Sequence, residues 1–133
     1  MITWTNTAPQ PEEYLALRAA CELGERSLDA ARKGLGGELF VISLRDEDGT
    51  LIGMLRLVGD GGVHALLSDM AVHPDHRGQG LAAGMLARLE AWTQDNLPDT
   101  CFISVIPNKR AVPLYEEAGF DLREGMGRYV GSR

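Results

Sequence analysis

The sequence has few cysteines, no long apolar run and no excess of positive charge, and each shortage excludes a class of protein. The two cysteines, Cys21 and Cys101, show no CxxC spacing, which favours reduced packing residues in a reducing compartment. No apolar run approaches the roughly 20 residues that span a bilayer. The N-terminus, MITWTNTAPQ, lacks the features of a signal peptide. The net charge of −6 argues against nucleic acid and anionic membranes as partners. We therefore expect a cytoplasmic protein.

What is present is the composition of an ordinary globular domain. The chain has 133 residues, of which 44% are hydrophobic and 24% are charged. This length is enough to bury a core, and the composition is not that of a disordered, collagenous or coiled-coil chain. Repeats and linkers are absent from the pattern. We therefore predict one domain over residues 1–133.

The order of the predicted elements favours a mixed α/β domain. The patterns predict strands over residues 2–5, 38–44, 50–58, 64–72 and 101–105, with a final strand at Arg128–Val130. They predict helices over 12–23 and 27–33, from residue 81 to before Pro98, and over 111–118. Strands outnumber helices early, and a strand–helix–strand order follows. This order predicts a mixed sheet covered by helices.

The segment HPDHRGQG, residues 73–80, joins the apolar strand at 64–72 to a helix that begins at Leu81. A helix N-terminus offers unpaired N–H groups and a partial positive charge, so it is suited to an anion. Glycines there let an anion approach the backbone, and Arg77 adds a fixed charge. Neither GxxxxGK[ST] nor GxGxxG occurs. The pattern favours a phosphate site, and a tight packing turn is the alternative.

Two motifs carry a resemblance to a known family. VHPDHRGQGLA resembles the pyrophosphate motif R/Q-x-x-G-x-G/A of the Gcn5-related N-acetyltransferase (GNAT) family. NKRAVPLYEEAGF, residues 108–120, resembles that family's second cofactor motif, N-x-x-A-x-x-x-Y-x-x-x-G-F. GMLRLVGDGG, residues 53–62, also resembles a hairpin of small bacterial members. The resemblance covers residues 50–133 well and the first 50 residues only by pattern.

The resemblance implies the family's fold and its co-substrate, acetyl-CoA, with no metal. The fold is a central, mixed but mostly antiparallel sheet, splayed between the strands at 64–72 and 101–105 and flanked by helices. The pantetheine arm would lie in the gap against backbone groups of Met70, Ala71 and Val72. The diphosphate would meet the N–H groups of Arg77, Gly78, Gln79, Gly80, Leu81 and Ala82.

The second motif implies further contacts to acetyl-CoA. Asn108 would hydrogen-bond the pantetheine, with a plain helix cap as the alternative. Arg110, with Lys109, would approach the 3′-phosphate, although exposed charges also simply solvate a surface. Tyr115 matches the family's general acid, which protonates the departing thiolate. Its alternative is a core aromatic on an amphipathic helix, and a tyrosine can serve in both ways.

An alkylamine acceptor has a pKa near ~10.4, so a base or a water relay must take its proton. Asp69 is the first candidate because it ends an otherwise apolar strand beside the expected carbonyl site. A structural carboxylate bonded to backbone or arginine is the alternative. His64 is the second candidate. The histone-acetylating branch carries a glutamate on this strand, where this chain has about Leu66, so that branch's mechanism and substrate are in doubt.

The function expected from the resemblance is transfer of acetyl from acetyl-CoA to a primary amine of a small or amino-acid-like acceptor. A CoA-binding module without catalysis and a protein or peptide N-acetyltransferase are the alternatives. A homodimer is a further expectation from small family members. The cluster His73, Asp75 and His76 could suggest metal ligands, but Pro74 and the loop context favour a surface loop. Arg56 and Asp60 could line the acceptor pocket, and an exposed hairpin pair is the alternative.

Overall fold

A computed structural model describes residues 1–131 of the chain as one sheet with helices on both faces. The strands are β1 (Thr3–Thr5), β2 (Phe40–Arg45), β3 (Leu51–Gly59), β4 (His64–Val72) and β5 (Phe102–Val105). The helices are α1 (Pro11–Ala20), α2 (Leu28–Gly34), α3 (Leu81–Asn96) and α4 (Val112–Glu117), with 3₁₀ turns at Pro74–His76 and Lys109–Ala111. The strand order is β1-β2-β3-β4-β5, and only β4 and β5 run parallel. The predicted mixed, mostly antiparallel sheet is confirmed.

The core lies in two layers because neighbouring residues of a strand point to opposite faces of the sheet. Leu55 of β3 packs with Met85 and Leu89 of α3 on one face. The preceding residue, Met54, packs with Tyr14 of α1 on the other. In the described part of the chain, no helix is long and apolar enough to cross a membrane.

The sheet opens between β4 and β5, as the predicted fold requires. β5 pairs only with residues 64–67 of β4, so residues 68–72 run on without a strand neighbour on that side within residues 1–131. The same stretch contains a β-bulge, because the register with β3 shifts between Met54 and Arg56. Asp69 lies at this bulge with a φ of +56°. The bulge turns its side chain toward the α1 face.

The predicted final strand at Arg128–Val130 is wrong, since residues 121–131 contain no strand. Three glycines within residues 125–131 disfavour a regular strand. Tyr129 instead packs on Arg26, whose guanidinium carbon lies 4.9 Å from the ring centroid. α1 also ends three residues earlier than predicted, and Glu22, just beyond it, takes a φ of +57° that a helix cannot hold.

Candidate active site

The open edge of β4 leads directly into the glycine loop. Val72 ends β4, and its carbonyl oxygen accepts hydrogen bonds from Arg77 Nε at 3.0 Å and from Cys21 Sγ at 3.4 Å. Met70 and Ala71 precede it, half-buried and buried respectively. Arg77 is therefore held by the strand it follows, which fixes the start of the loop.

The loop presents bare backbone at the start of α3. Gly78 has a φ of +82° and Gly80 a φ of +76°, and a Cβ built at either would meet nothing within 4 Å. Gly80 is the N-cap of α3, and no side chain caps the helix. Within residues 1–131, no hydrogen bond is donated by the N–H groups of residues 78–83. An open cradle of N–H groups at a helix N-terminus fits the diphosphate of acetyl-CoA.

The rest of the loop and the second motif surround this cradle. Gln79 is exposed, whereas Leu81 and Ala82 are half-buried at the first turn of α3. Arg77 and Arg110 come from different motifs, yet the charges of both act on the thiol of Cys21. Burial nevertheless raises the pKa of that thiol above its usual value. The fold thus brings two cationic side chains toward the end of β4.

Asn108 adopts the cap conformation that was the alternative to a pantetheine contact. The Asn108 side-chain oxygen accepts a hydrogen bond from the Ala111 N–H at 2.9 Å, so Asn108 caps the 3₁₀ turn that precedes α4. Pro113 lies in the first turn of α4, where a missing N–H costs nothing. In this conformation the Asn108 side-chain oxygen serves the local backbone, and its amide nitrogen stays available to a ligand.

Tyr115 is buried on α4, with 7% of its surface exposed. Phe120 packs against it edge to face with ring centroids 5.8 Å apart, after the reversal at Gly119 with a φ of +97°. Burial raises the pKa of Tyr115 to about 12, so the hydroxyl keeps its proton at neutral pH. The ring packs in the core, and no hydrogen bond to a residue of the described range contributes to the raised pKa.

Asp69 lies at the centre of a buried network of side chains. Its Oδ2 accepts hydrogen bonds from the Tyr14 hydroxyl at 2.7 Å and from Arg56 Nη1 at 2.9 Å. Its Oδ1 accepts one from Arg18 Nη1, and only 3% of the Asp69 side chain is exposed. Arg56 also pairs with Glu38, its Nε lying 2.7 Å from a carboxylate oxygen. Three donors on a carboxylate that is 3% exposed favour the structural alternative for Asp69, because a general base must be reached by the amine or by a water.

His64, the second candidate base, is not brought to this network. It lies at the start of β4, exposed and opposite Phe102 of β5. Asp69 lies five positions further along β4, which is about 16 Å along an extended chain. The His73 ring nitrogen accepts a hydrogen bond from the Asp75 N–H, so it caps the 3₁₀ turn of the loop. Residues 1–131 contain no group of three potential metal ligands.

The residues that sequence reasoning missed are Arg18 and Glu38. Arg18 lies four residues after Tyr14, hence on the same buried face of α1, and only 4% of it is exposed. The sequence signal for Arg18 was a charged residue on the apolar face of the predicted first helix. The hairpin pairing of Arg56 with Asp60 does not form, because Asp60 instead accepts hydrogen bonds from the turn N–H groups of residues 62–64.

A cavity of about 160 Å³ lies beside this network, between α1, α2 and the sheet. Its lining residues are Tyr14, Arg26, Ala30, Ala31, Gly34, Leu35 and Arg56. Tyr14 and Arg56 belong both to the cavity wall and to the Asp69 network. These two side chains therefore connect the cavity to the bulge of β4.

Comparison with known proteins shows which family the chain belongs to. The model of the acetyltransferase (GNAT) family matches residues 4–120, which is most of the chain. The chain belongs to the GNAT family. A probable acetyltransferase from methicillin-resistant Staphylococcus aureus is 32% identical, with a TM-score of 0.90 over 98% of both chains. A Clostridium acetobutylicum acetyltransferase determined with acetyl-CoA is 17% identical, with a TM-score of 0.64 over 97% of this chain and 96% of its own.

A curated relative gives the same family. It is an uncharacterized N-acetyltransferase from Pyropia yezoensis, 27% identical over 99 residues. The match covers 72% of this chain and 56% of the relative, so it spans little more than half of that protein's length. GNAT family members use acetyl-CoA, and the bare cradle before α3 of this chain fits it. The family predicted from the two motifs is confirmed, and so is the enzyme class, N-acetyltransferase.

Proposed function

We propose that the protein transfers an acetyl group from acetyl-CoA to the primary amine of a small-molecule or amino-acid-like acceptor. One observation carries the proposal. The unpaired stretch of β4 at residues 68–72 runs straight into the bare N–H cradle of residues 78–83. An extended chain can add to such a strand edge, while its anionic end meets the helix N-terminus.

Each part of acetyl-CoA has residues that would hold it. The backbone of Met70, Ala71 and Val72 would face the pantetheine arm along the open edge of β4. The loop from Arg77 to Ala82 would hold the diphosphate by its N–H groups. Asn108 would add its amide nitrogen, and Arg110 would add its charge near the 3′-phosphate. When bound, acetyl-CoA supplies an acetyl thioester, and the proton that the amine gives up balances the thiolate that leaves.

The roles that remain fall to Tyr115 and to the Asp69 network. Tyr115 keeps its proton, and no hydrogen bond to a described residue contributes to its pKa, so its hydroxyl would be free to donate to a sulfur. Asp69 would fix the bulge of β4 rather than accept the amine proton, because its oxygens already face Tyr14, Arg18 and Arg56. The amine proton would then leave through water.

Isothermal titration with acetyl-CoA and CoA, followed by an assay of thiol release over a panel of amines, tests the proposal. Tight binding with turnover on a small amine is the expected result. Binding with turnover only on a peptide would favour the protein N-acetyltransferase instead, and binding with no turnover on either would favour a CoA-binding module. Titrating Gly78→Ala beside Gly49→Ala provides the control, since both glycines have a positive φ and open space around them. Equal weakening by both variants would contradict the assigned cradle.

A further inference from the structure

The cavity of about 160 Å³ carries three side chains with donor groups in its wall, those of Tyr14, Arg26 and Arg56, and is called the donor-lined cavity below. Tyr14, Arg26 and Arg56 are its polar side chains, the other described lining residues are small or apolar, and no carboxylate is among them. Arginine presents a fork of N–H donors that matches a carboxylate or a phosphate. The chemistry of the wall therefore selects an anionic group.

The charge of the surroundings supports the same selection. Arg18 and Arg56 face the carboxylates of Asp69 and Glu38, which balance them. Arg26 lies outside this network and contacts Tyr129, whose hydroxyl oxygen is 3.3 Å from Arg26 Nη1. Asp69 and Glu38 therefore pair with Arg18 and Arg56, and Arg26 is not among the arginines that they balance.

A second cavity next to the first differs from it in the charge of its wall. It has a volume of about 440 Å³ and shares Arg26, but its wall also carries Glu22 and Glu25. Carboxylates in a wall repel an anion. Of these two hollows, the donor-lined cavity is the one suited to it, and it is also the one that borders the bulge of β4 through Arg56.

We propose that the acceptor carries an anionic group, a carboxylate or a phosphate, that Arg26 and Arg56 bind in this cavity. The inference rests on the proposed acetyl transfer and narrows its substrate class. The anion would anchor the acceptor beside the β4 bulge, with its amine directed to the open edge of β4. Tyr129 acts as a positioning residue, because it stacks on Arg26 and accepts its hydrogen bond.

The test compares amino acids with the amines formed by removing their carboxylate, such as leucine with 3-methylbutylamine and phenylalanine with phenethylamine. O-phosphoethanolamine beside ethanolamine distinguishes a phosphate from a carboxylate. We expect kcat/KM to be about 10-fold to 100-fold higher for the anionic member of a pair, since each anion gains charge-assisted hydrogen bonds. Equal rates for both members would overturn the inference and leave the proposed function intact.

Arg26→Ala then separates binding from folding. Arg26 is exposed, so its loss spares the buried network, whereas Arg56 is engaged by two carboxylates. We expect KM for the anionic acceptor to rise about 10-fold or more, kcat to hold, and Arg26→Lys to restore part of the loss. Arg32→Ala, an exposed arginine of α2 outside the cavity wall, is the matched control. An equal change in KM for Arg32→Ala would contradict the assignment.

A binding readout covers the case in which no amine is acetylated. Isothermal titration of leucine or O-phosphoethanolamine into the CoA-saturated protein should give binding that Arg26→Ala abolishes. That result would keep the anion site while the transfer reaction failed. Absence of binding in the native protein, together with no preference in the assay, would overturn the anion site.

Discussion

Arg56 joins the donor-lined cavity to the bulge of β4, because its side chain lines the cavity while its Nη1 lies 2.9 Å from Asp69 Oδ2. One side chain thus contacts both the place where an acceptor would lie and the strand that would hold the acetyl donor. The pair is buried, with 11% of the Arg56 side chain and 3% of the Asp69 side chain exposed. This burial makes the consequences of a substitution large enough to measure.

Replacing Asp69 tests whether it serves as a structural carboxylate or as a base. Asp69→Ala leaves Arg18 and Arg56 buried without their shared partner, so we expect the free energy of unfolding to fall by about 3–5 kcal/mol. Urea denaturation followed by circular dichroism measures this change, and Asp75→Ala, at an exposed carboxylate of the loop, is the control. A fully stable Asp69→Ala protein without turnover would instead support the role of base.

Replacing Tyr115 tests the predicted general acid. Tyr115→Phe removes only the hydroxyl and keeps the buried ring, so folding should be nearly unchanged. We expect kcat to fall by about 100-fold or more while the Kd of acetyl-CoA stays the same. Phe120→Leu, which alters the same aromatic contact without removing a hydroxyl, is the control. An unchanged kcat would show that another group protonates the leaving sulfur.

The pH dependence of the native protein gives an independent test of Tyr115. Burial raises its pKa from 10.0 to about 12, so the neutral form persists to higher pH than in an ordinary tyrosine. We therefore expect no loss of kcat from this group between about pH 8 and pH 10. A decline of kcat with an apparent pKa near 10, absent from Tyr115→Phe, would contradict this assignment.

Replacing Gly78 by alanine tests the cradle at α3. The φ of +82° disfavours any side chain by roughly 1–2 kcal/mol, and a Cβ there would also stand between the backbone and a diphosphate. We expect the Kd of acetyl-CoA to rise about 10-fold to 100-fold by isothermal titration. Gly49→Ala has the same backbone strain, with a φ of +83°, in the β2–β3 turn. It should lose stability but not affinity, and a matching loss of affinity would refute the cradle.

Glu13 and Arg45 predict how stability changes with acid. Arg45 donates to both carboxylate oxygens of Glu13, at 2.7 and 2.6 Å, and this hydrogen bonding lowers the pKa of Glu13 below 4.5. A carboxyl whose pKa is lower in the folded state stabilises the fold above its unfolded value, and the stabilisation disappears as pH falls through the folded value. Glu13→Gln should therefore lose stability relative to the native protein at about pH 7.

The comparison of the two proteins across pH isolates this pair from other carboxylates. Urea midpoints of the native protein and of Glu13→Gln should differ at about pH 7, and the difference should shrink as the pH falls below 4.5. Glu12→Gln, at an exposed neighbour in the same helical turn, is the control and should follow the native protein throughout. A constant difference between native and Glu13→Gln proteins over this range would show that the pair does not titrate as described.

Features that depend on local backbone chemistry could be predicted from the sequence. The glycines at 78 and 80 encode positive φ values and bare N–H groups before α3, and Gly119 encodes the reversal that returns Phe120 onto Tyr115. Two motifs about 30 residues apart therefore sufficed to predict the family and the fold that the comparisons confirm. The prediction of a strand at Arg128–Val130 was wrong, because the sequence pattern did not show which strand it would pair with.

The surroundings of Asp69 depend on contacts between distant parts of the chain, which the sequence pattern did not show. Tyr14 and Arg18 lie 55 and 51 residues away in the chain, and they reach the carboxylate because α1 packs on the sheet beside the bulge of β4. A one-residue bulge reverses which face a side chain points to, and no local pattern showed one at this position. For the same reason the donor-lined cavity is absent from the sequence pattern: α1, α2 and β3 create it only by packing together.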